Sequence, residues 1–545
     1  MKFVSAQLDP LSAELQSRSD RSAKDDQQSD KRSSYLSTFS GSITSLGVGD
    51  LPESERGSIR PDEQAFLLSG ETILNVLPGY GQSSLFLTSF RLYSLPELID
   101  TPLVVIRKVS CSPDLITFET WEVNMKKFRA DDSNERSSFM SSLTNLIHKR
   151  TPMALACKYP LPWWDCAEYF AHLQQKDPKL QPTKLNKSFE LCSTYPEIIL
   201  TYQSFDKFVQ VSDFRDKGRI PVCSYPSLWR SSQPLTSFNG RSSEDEHLLS
   251  MISDSDSNGK SLLILDLRPR INALANHLKG AGTENPANYP FAEIIFCDLP
   301  NIHTVRDSWD RTWAGIYALL PAIEPGFSLC QGRRNFHVGW WKVFEDNRWY
   351  EWVSMILKTS LLAADAADHK AIDIGEKICS FKAVLVHCSD GWDRTPQITS
   401  LAMIIIDPFY RTRQGFAALI EREWVQMGHP FKRRFGIDGE GKEFSPIFAQ
   451  FFDCVYQLIS QNSDSFSFDD KWLIEIYTNA SSGRYGNFLH NCEKERSECQ
   501  VRDSTISIWN SMLVGSDQVK NPGKLSVNFS ATEIRIWNNF WLRYC

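Results

Sequence analysis

The chain of 545 residues carries a formal net charge of −7, with 41% apolar and 23% charged residues. This composition is typical of a soluble globular protein of two to four domains, and the negative charge argues against nucleic acid as the main partner. The 13 cysteines are odd in number and form no Cys-x-x-Cys pair, which predicts reduced thiols in a cytosolic protein.

The N-terminal stretch differs in composition from the rest of the chain. Residues 1–60 contain 14 serines, mixed charges and few large apolar side chains. Such a segment buries too little apolar surface to offset the loss of chain entropy, so we predict a disordered tail over residues 1–60. Neither a signal-peptide core nor an uncharged apolar stretch of about 18 residues is present, so no membrane-spanning helix is expected.

Residues 61–151 have the pattern of a small β-rich domain. Short apolar runs alternate with turn residues such as Pro78-Gly79 and Ser112-Pro113, and a helix to about His148 follows. The predicted strands are Phe66–Leu68, Thr72–Val76, Ser84–Thr88, Arg91–Ser94, Leu103–Val109, Leu115–Glu119 and Lys127–Arg129. This order predicts a small β-sandwich or barrel with one C-terminal helix.

Residues 152–545 have the pattern of one large α/β domain. Buried strands are predicted at Leu262–Leu265 and Ile294–Cys297, and a core helix over Asn347–Ala367. Asp266 and Arg268 follow the first of these strands, where we expect a structural ion pair rather than a catalytic one.

The stretch AVLVHCSDGWDRTPQ, residues 383–397, predicts a buried strand, a tight loop and a helix. The strand is the apolar run Ala383–Val386, and the helix is expected to begin with Thr395 as N-cap and Pro396 as its first residue. Loop N–H groups and a helix N-terminus that converge on one point make an anion site suited to phosphate. The same field favours the thiolate form of Cys388.

Cys388 and Arg394 supply the parts needed for phosphoryl transfer through a phosphocysteine. The thiolate is the nucleophile, the loop N–H groups form an oxyanion cradle, and the planar fork of Arg394 can hold two phosphoryl oxygens. His387, beside the nucleophile, is expected to fix the loop through its ring hydrogen bonds. The sequence contains no metal-binding or nucleotide-binding motif, so we expect neither a metal ion nor a cofactor.

The string HCSDGWDRT resembles the signature of the myotubularin family of 3-phosphoinositide phosphatases. The segments FRDKGRIPV (Phe214–Val222) and SSQPL (Ser231–Leu235) are also similar to that family, and the resemblance covers residues 61–545. It implies a cysteine-dependent (Cys-x5-Arg) α/β phosphatase domain at residues 152–545, preceded by a PH-GRAM-like domain at residues 61–151. It also implies phosphatidylinositol 3-phosphate and phosphatidylinositol 3,5-bisphosphate as substrates.

The resemblance also implies roles for individual residues. Asp393 is favoured as the general acid, although its neighbour Arg394 should lower its pKa, and Asp390 is the alternative acid. Substrate contacts are implied for the loop residues and for four positions elsewhere in the chain: Ser389, Asp390, Gly391, Trp392, Asn276, Asn301, Ile302 and Arg434. For the two asparagines, local turn bonding is the simpler interpretation.

One position departs from the family pattern. After Gly428 and His429, related sequences commonly carry an arginine, whereas this chain has Pro430 and keeps Arg434 four residues later. Proline offers no side-chain donor, so we predict a stronger preference for the monophosphate than in related enzymes.

Two other functions are considered: a catalytically inactive lipid-binding scaffold, since the family contains such members, and a protein-tyrosine phosphatase, which the loop alone would allow. Retention of Cys388, Asp393 and Arg394 favours an active enzyme. The expected partners are phosphoinositide lipids, and a family-type homo- or hetero-oligomer; nucleic acid is not among them. A cytoplasmic protein, peripheral on endosomal or other phosphoinositide-bearing membranes, is therefore expected.

Overall fold

The computed structural model describes residues 67–543 with several gaps, and Leu67–Cys545 form one compact unit. The gaps are at residues 69–70, 81–82, 95–98, 122–124, 131, 150–162, 164–166, 203–204, 206–212, 236–240, 254–259, 272, 274–281, 320–332, 376, 440 and 515–516. The tail predicted over residues 1–60 lies outside the described residues. Along the described ranges, no helix is both long and apolar enough to cross a membrane.

Two antiparallel sheets and one helix make up the first part of the chain. The first sheet contains β1 (Ile73–Pro78), β2 (Ser84–Thr88), β3 (Arg91–Ser94) and β4 (Ile99–Pro102). The second contains β5 (Ile106–Cys111), β6 (Leu115–Thr120) and β7 (Met125–Arg129). Helix α1 (Ser133–Lys149) follows, and its residues Phe139 and Leu143 are buried in one core with Leu85 and Phe118 of the sheets.

The sequence analysis placed two strands of this region wrongly, in whole or in part, and missed another. The predicted strand Leu103–Val109 begins only at Ile106, because Leu103–Val105 form a 3-10 helix. Leu67 and Leu68 are not in a strand, because Glu71 closes a turn there: its carboxylate accepts the N–H of Leu68 at 2.7 Å. Strand β4 was missed because Asp100 and Pro102 are residue types that strands disfavour. Its antiparallel pairing with β3 overrides that preference.

A five-stranded sheet forms the centre of the remaining chain. Its order is β10 (Val222–Tyr225), β11 (Leu228–Ser231), β16 (Ala383–His387), β12 (Leu262–Asp266) and β13 (Ala292–Phe296). All neighbours are parallel except β10, which is antiparallel to β11. Two hairpins lie outside this sheet: β8 (Leu180–Thr183) with β9 (Ile199–Tyr202), and β14 (Ile372–Ile374) with β15 (Lys377–Cys379).

Helices complete the α/β architecture that the sequence predicts. They are α2 (Ala167–Lys176), α3 (Ser243–Ser253), α4 (Ile302–Leu319), α5 (Arg333–Asp346), α6 (Trp349–Ala367), α7 (Arg394–Ile406), α8 (Arg413–Leu419), α9 (Phe431–Arg434), α10 (Ile447–Gln461), α11 (Asp470–Ser481), α12 (Glu493–Glu498), α13 (Val501–Ser504), α14 (Trp509–Met512) and α15 (Asn538–Trp541). The predicted core helix over Asn347–Ala367 is confirmed as α6, which packs against α7 and β16.

Strand β16 occupies the middle of the sheet, with β11 on one side and β12 on the other. Each of its five residues is buried, as its apolar sequence requires of a central parallel strand covered on both faces. In open parallel sheets, ligands bind beyond the carboxyl ends of the strands, which is where Cys388 follows β16.

Candidate active site

The thiol of Cys388 is buried and lies within reach of two hydrogen-bond donors. Only 2% of the residue is exposed. The backbone N–H of Gly391 donates to its sulfur at 3.3 Å, and the hydroxyl of Thr395 donates at 3.4 Å. Two donors thus point at one sulfur and hold it at the end of β16, where the sequence predicts the nucleophile.

The position of Thr395 corrects the predicted start of the helix. Helix α7 begins at Arg394, so Thr395 lies inside its first turn and is not the N-cap. Its hydroxyl is therefore available to Cys388 rather than to the helix backbone. Asp393 precedes the helix and makes no side-chain cap bond.

The loop backbone turns sharply at Gly391, which has a φ of +77°. A Cβ atom at this position would lie 2.4 Å from the carbonyl oxygen of Ser231, so only glycine fits here. A second contact fixes the loop from the same side, because the N–H of Gln233 donates to the carbonyl of Ser389 at 3.0 Å. The loop thus packs against the end of β11 and the residues just after it.

Two buried arginines hold the carbonyl group of Gly391. Arg219 Nη2 donates to it at 3.1 Å, and Arg230 Nη2 donates at 2.8 Å. Arg230 is neutralised by Glu423, whose carboxylate lies 2.8 Å from its Nη1 atom. Because a peptide carbonyl and the following N–H point in opposite directions, these bonds turn the N–H of Trp392 away from the arginines. The pair therefore orients part of the predicted anion cradle.

The sequence analysis missed Arg219 and Arg230 as functional residues. Arg219 lies in the segment FRDKGRIPV, which was noted only for its family resemblance. Arg230 stands in the buried strand β11 directly after Trp229, and a charged residue in such a strand was the available signal.

Arg394 is the first residue of α7 and is only partly buried. Its Nη2 atom lies 3.4 Å from the Ser389 hydroxyl, and its Nη1 atom lies 3.4 Å from the carbonyl oxygen of Leu299. Both hydrogen bonds are long and have uncharged acceptors, so a doubly charged phosphoryl group would readily replace them. The geometry thus leaves the predicted clamp able to close on a phosphate in the loop.

Asp393 and Arg434, which the sequence analysis assigned to different roles, bind each other. The guanidinium donates from Nε to Oδ1 and from Nη2 to Oδ2, both at 2.9 Å. Burial alone would raise the pKa of Asp393, but the attraction and hydrogen bonds of Arg434 outweigh it and hold the pKa below its ordinary value. In this arrangement Asp393 is ionised, and the fork of Arg434 is occupied.

His429 supports the same part of the site. Burial lowers the pKa of His429 to about 4, so the imidazole is neutral at pH 7. Its Nδ1 atom lies 2.7 Å from the carbonyl oxygen of Trp392, which can only accept, so the proton is on Nδ1. His429 therefore fixes the loop immediately before Asp393.

Asp390 also faces a cation. The ammonium group of Lys217 contacts its carboxylate, and the same ammonium lies 5.0 Å from the ring centroid of Trp392. Lys217 is 43% exposed at its side chain and Asp390 is 31% exposed, so this pair lies on the open side of the loop. Trp392 itself is buried, which fits a loop anchor.

The remaining predicted contacts fall into three groups. Asn301 caps α4, since its side-chain oxygen accepts the N–H groups of His303 and Thr304, each at 3.0 Å; the simpler interpretation of this asparagine is confirmed. Ile302 is the first residue of α4 and accepts the Ser445 hydroxyl at 2.8 Å. Asn276 lies outside the described residues. Headgroup contacts by these residues stay predictions.

Beneath the loop, buried polar contacts fix the end of β16. His387 Nε2 lies 3.1 Å from Glu284, whose carboxylate also lies 2.9 Å from Arg215. On the neighbouring strand, Arg268 donates to Asp266 at 2.7 Å, which confirms the predicted structural pair. The bonds of His387 agree with the fixing role expected of it.

Comparison of the sequence with known proteins shows which family this chain is similar to. The Myotubularin-like phosphatase domain matches residues 161–497. The relatives include "Phosphatidylinositol-3,5-bisphosphate 3-phosphatase MTMR8" of Gallus gallus, 38% identical over 350 residues, with 62% of this chain and 52% of that protein covered. "Phosphatidylinositol-3,5-bisphosphate 3-phosphatase MTMR6" of Homo sapiens is 33% identical over 398 residues, covering 70% of this chain and 60% of that protein. "Myotubularin" of Rattus norvegicus is 30% identical over 538 residues, covering 90% and 85%. The chain thus spans little more than half the length of the first of these relatives.

Proposed function

The chain belongs to the myotubularin family of phosphatases, and we propose that it hydrolyses the 3-phosphate of phosphoinositides through a phosphocysteine intermediate. The observation that carries the proposal is the position of Cys388 and the hydrogen bonds that its sulfur receives. Its sulfur lies at the carboxyl end of the central parallel strand and receives two hydrogen bonds, and α7 begins after the five loop residues 389–393. Loop N–H groups and a helix N-terminus at such a position can bind the oxygens of the phosphoryl group that the sulfur attacks.

The proposed reaction proceeds in two displacements. Cys388 Sγ attacks phosphorus, the S–P bond forms, and the bond from phosphorus to the inositol oxygen breaks. That oxygen takes up a proton and leaves as the hydroxyl. Water then attacks phosphorus and the S–P bond breaks, while the carboxylate that protonated the leaving oxygen takes the proton of the water; inorganic phosphate is released and the thiolate is restored. In both steps Arg394 and the loop N–H groups stabilise the negative charge on the equatorial oxygens.

The acid that protonates the leaving oxygen is one of two loop aspartates. Asp393 is the favoured residue, and it must lose or loosen its bonds to Arg434 before it can hold a proton at neutral pH. Asp390 is the alternative, and its partner Lys217 lies on the open side of the loop. An acid carried by the loop itself needs no separate flap.

The proposed substrates are phosphatidylinositol 3-phosphate and phosphatidylinositol 3,5-bisphosphate. The names of the chicken and human relatives describe 3-phosphatases of the bisphosphate, and the phosphatase domain matched in this chain contains Cys388 and Arg394. A lipid substrate requires the protein to work at a membrane surface, so we propose a peripheral protein on endosomal or other phosphoinositide-bearing membranes. The β-rich first part, in the role of a PH-GRAM-like domain, would contribute to this attachment.

The test is the release of inorganic phosphate from three substrates: short-chain phosphatidylinositol 3-phosphate, its 3,5-bisphosphate and a phosphotyrosine peptide. We expect turnover of the lipids and little of the peptide, with Cys388→Ser as the inactive control. Peptide turnover that exceeds lipid turnover would indicate a protein-tyrosine phosphatase instead. Lipid binding without any turnover by the wild type would indicate an inactive scaffold.

A further inference from the structure

Trp121, in the β-rich first part of the chain, fills space left by two glycines of the phosphatase region. The residue follows β6, and its N–H donates to the carbonyl of Val105 at 2.9 Å. A Cβ atom added to Gly441 would lie 1.9 Å from its Cη2 atom, and one added to Gly436 would lie 2.7 Å from its Cδ2 atom. Both glycines also have positive φ, +60° and +71°. Their backbone is therefore shaped to receive the indole.

Two further contacts hold the indole in this position. Its ring stacks on Phe444, with the centroids 5.5 Å apart and an interplanar angle of 28°. The guanidinium of Arg107 lies 5.4 Å from the indole centroid and 3.8 Å from the carboxylate of Asp310 in α4. Trp121 thus lies between a cation of its own sheet and an apolar residue that is itself only 4% exposed.

The segment that receives Trp121 continues directly into the contacts of Arg434. The carbonyl of Glu443 accepts a hydrogen bond from Arg434 Nη1 at 3.1 Å. The N–H of Ser445 donates to the carbonyl of Arg434 at 3.2 Å. Arg434 in turn holds Asp393 with two bonds of 2.9 Å. The chain of contacts from Trp121 to the catalytic loop is therefore continuous.

The same segment also holds the start of α4 on the other side of the site. The Ser445 hydroxyl donates to the carbonyl of Ile302 at 2.8 Å. Arg306, one turn further along α4, donates to the carbonyl of Lys442 at 2.9 Å. Residues 441–445 thus connect Arg434 with the helix whose first residues are proposed to meet the lipid headgroup.

We propose that Trp121 is a positioning residue for the active site, which sets Arg434 and the start of α4 by fixing the segment that carries both. The inference rests on the proposed function for its assay and goes beyond it in assigning a role in catalysis to the β-rich part. A misplacement of about 1 Å at a site of this kind can reduce the rate by about a hundredfold. Loss of a partly buried indole that fills the space over two glycines permits a movement of that size.

Val104 offers a matched control. It too extends from the β-rich part into the space over a glycine of positive φ: a Cβ atom on Gly483 would lie 2.8 Å from its Cγ2 atom. Gly483 follows α11, however, whereas the bonds to Arg434 and Ile302 come from residues 443 and 445. Val104→Ala should weaken the contact between the two parts without moving the site.

The experiment measures kcat/KM for Trp121→Ala, Trp121→Phe and Val104→Ala on short-chain phosphatidylinositol 3-phosphate and on an activated aryl phosphate. The aryl phosphate needs the thiolate and Arg394 but neither the acid nor the headgroup contacts. We expect Trp121→Ala to lose about tenfold to a hundredfold on the lipid and less than about threefold on the aryl phosphate. Trp121→Phe, which keeps an aromatic ring, should recover most of the lipid activity, and Val104→Ala should change neither rate beyond about twofold.

The outcomes separate positioning from mere destabilisation. Partial unfolding lowers both rates equally, so equal losses on the lipid and the aryl phosphate would overturn the inference, as would an unchanged Trp121→Ala or an equally impaired Val104→Ala. If Trp121→Ala does not fold, Trp121→Leu is assayed against the same predictions, with a smaller lipid-specific loss expected. Absence of lipid turnover in the wild type would instead refute the proposed function.

Discussion

Gly391→Ala tests whether the shape of the loop backbone, and not only its side chains, determines catalysis. The substitution has two separate effects. An L-residue at a φ of +77° costs about 1–2 kcal/mol of folding free energy. The added Cβ atom would also lie 2.4 Å from the carbonyl oxygen of Ser231, and such an atom rarely comes closer than 3.0 Å. Either the loop or the end of β11 must therefore shift by several tenths of an ångström.

That shift acts directly on the groups that serve the phosphate. Gly391 donates its N–H to Cys388, and its carbonyl is held by Arg219 and Arg230. Because about 1 Å of misplacement can cost a hundredfold, we expect kcat on phosphatidylinositol 3-phosphate to fall by about tenfold to a hundredfold. The free energy of unfolding should fall by more than the 1–2 kcal/mol or so that the backbone conformation alone accounts for.

Gly375→Ala is the matched control for the first effect. Gly375 has a φ of +70°, lies in the turn between β14 and β15, and has no atom within 4 Å of an added Cβ. We expect it to lose about 1–2 kcal/mol of stability and to keep its kcat within about twofold. Steady-state kinetics and denaturant unfolding on both variants decide the matter. Equal kcat values for the two variants would refute the view that the close contact of Gly391 with the Ser231 carbonyl positions the catalytic groups.

Four further substitutions test individual roles. Cys388→Ser should abolish turnover while the protein still folds and binds lipid, because a serine hydroxyl ionises far less readily than a cysteine thiol and is a poor nucleophile. Phosphate release near the wild-type rate would exclude the cysteine mechanism. Arg394→Lys should lower kcat by about a hundredfold or more because lysine lacks the planar fork, and a change of only a few-fold would mean that Arg394 is not the clamp. Asp393→Asn should greatly impair lipid turnover but spare an activated aryl phosphate whose leaving group needs no proton, whereas equal losses on both would favour Asp390 as the acid. Pro430→Arg should raise kcat/KM on the 3,5-bisphosphate relative to the monophosphate by about tenfold, because it adds a charge-assisted donor one turn before Arg434. An unchanged ratio of the two kcat/KM values would show that position 430 does not contact the 5-phosphate.

Local patterns predicted the parts of the site that depend on neighbouring residues. The apolar run Ala383–Val386 predicted the strand, which the structure extends by one residue to His387. A small error arose at the helix start, where Thr395 has the side chain of an N-cap but bonds to Cys388 instead. The helix begins one residue earlier, at Arg394, so the Thr395 hydroxyl lies inside the first turn and donates to the sulfur.

Contacts between distant residues were beyond the reach of such patterns. Arg219 and Arg230 bond to a carbonyl that lies 172 and 161 residues away in the chain. Glu284 and His387 are separated by 103 residues, and their pairing depends on which segment the fold brings to the end of β16. A single sequence records that a charged residue stands in an apolar strand, but the partner that makes this tolerable is set by the tertiary fold.

The pairing of Asp393 with Arg434 constrains how both residues can serve one reaction. While Arg434 holds the carboxylate, the pKa of Asp393 stays below its ordinary value, and the group is a poor acid at neutral pH. If Arg434 turns to an anionic headgroup, Asp393 loses its main source of stabilisation but remains buried, and burial by itself raises the pKa of a carboxyl group. Asp393 can therefore be first the ion-pair partner of Arg434 and later the proton donor, but it cannot be both at the same moment. Substrate binding by Arg434 would be the event that converts Asp393 from an ion-pair partner into a proton donor.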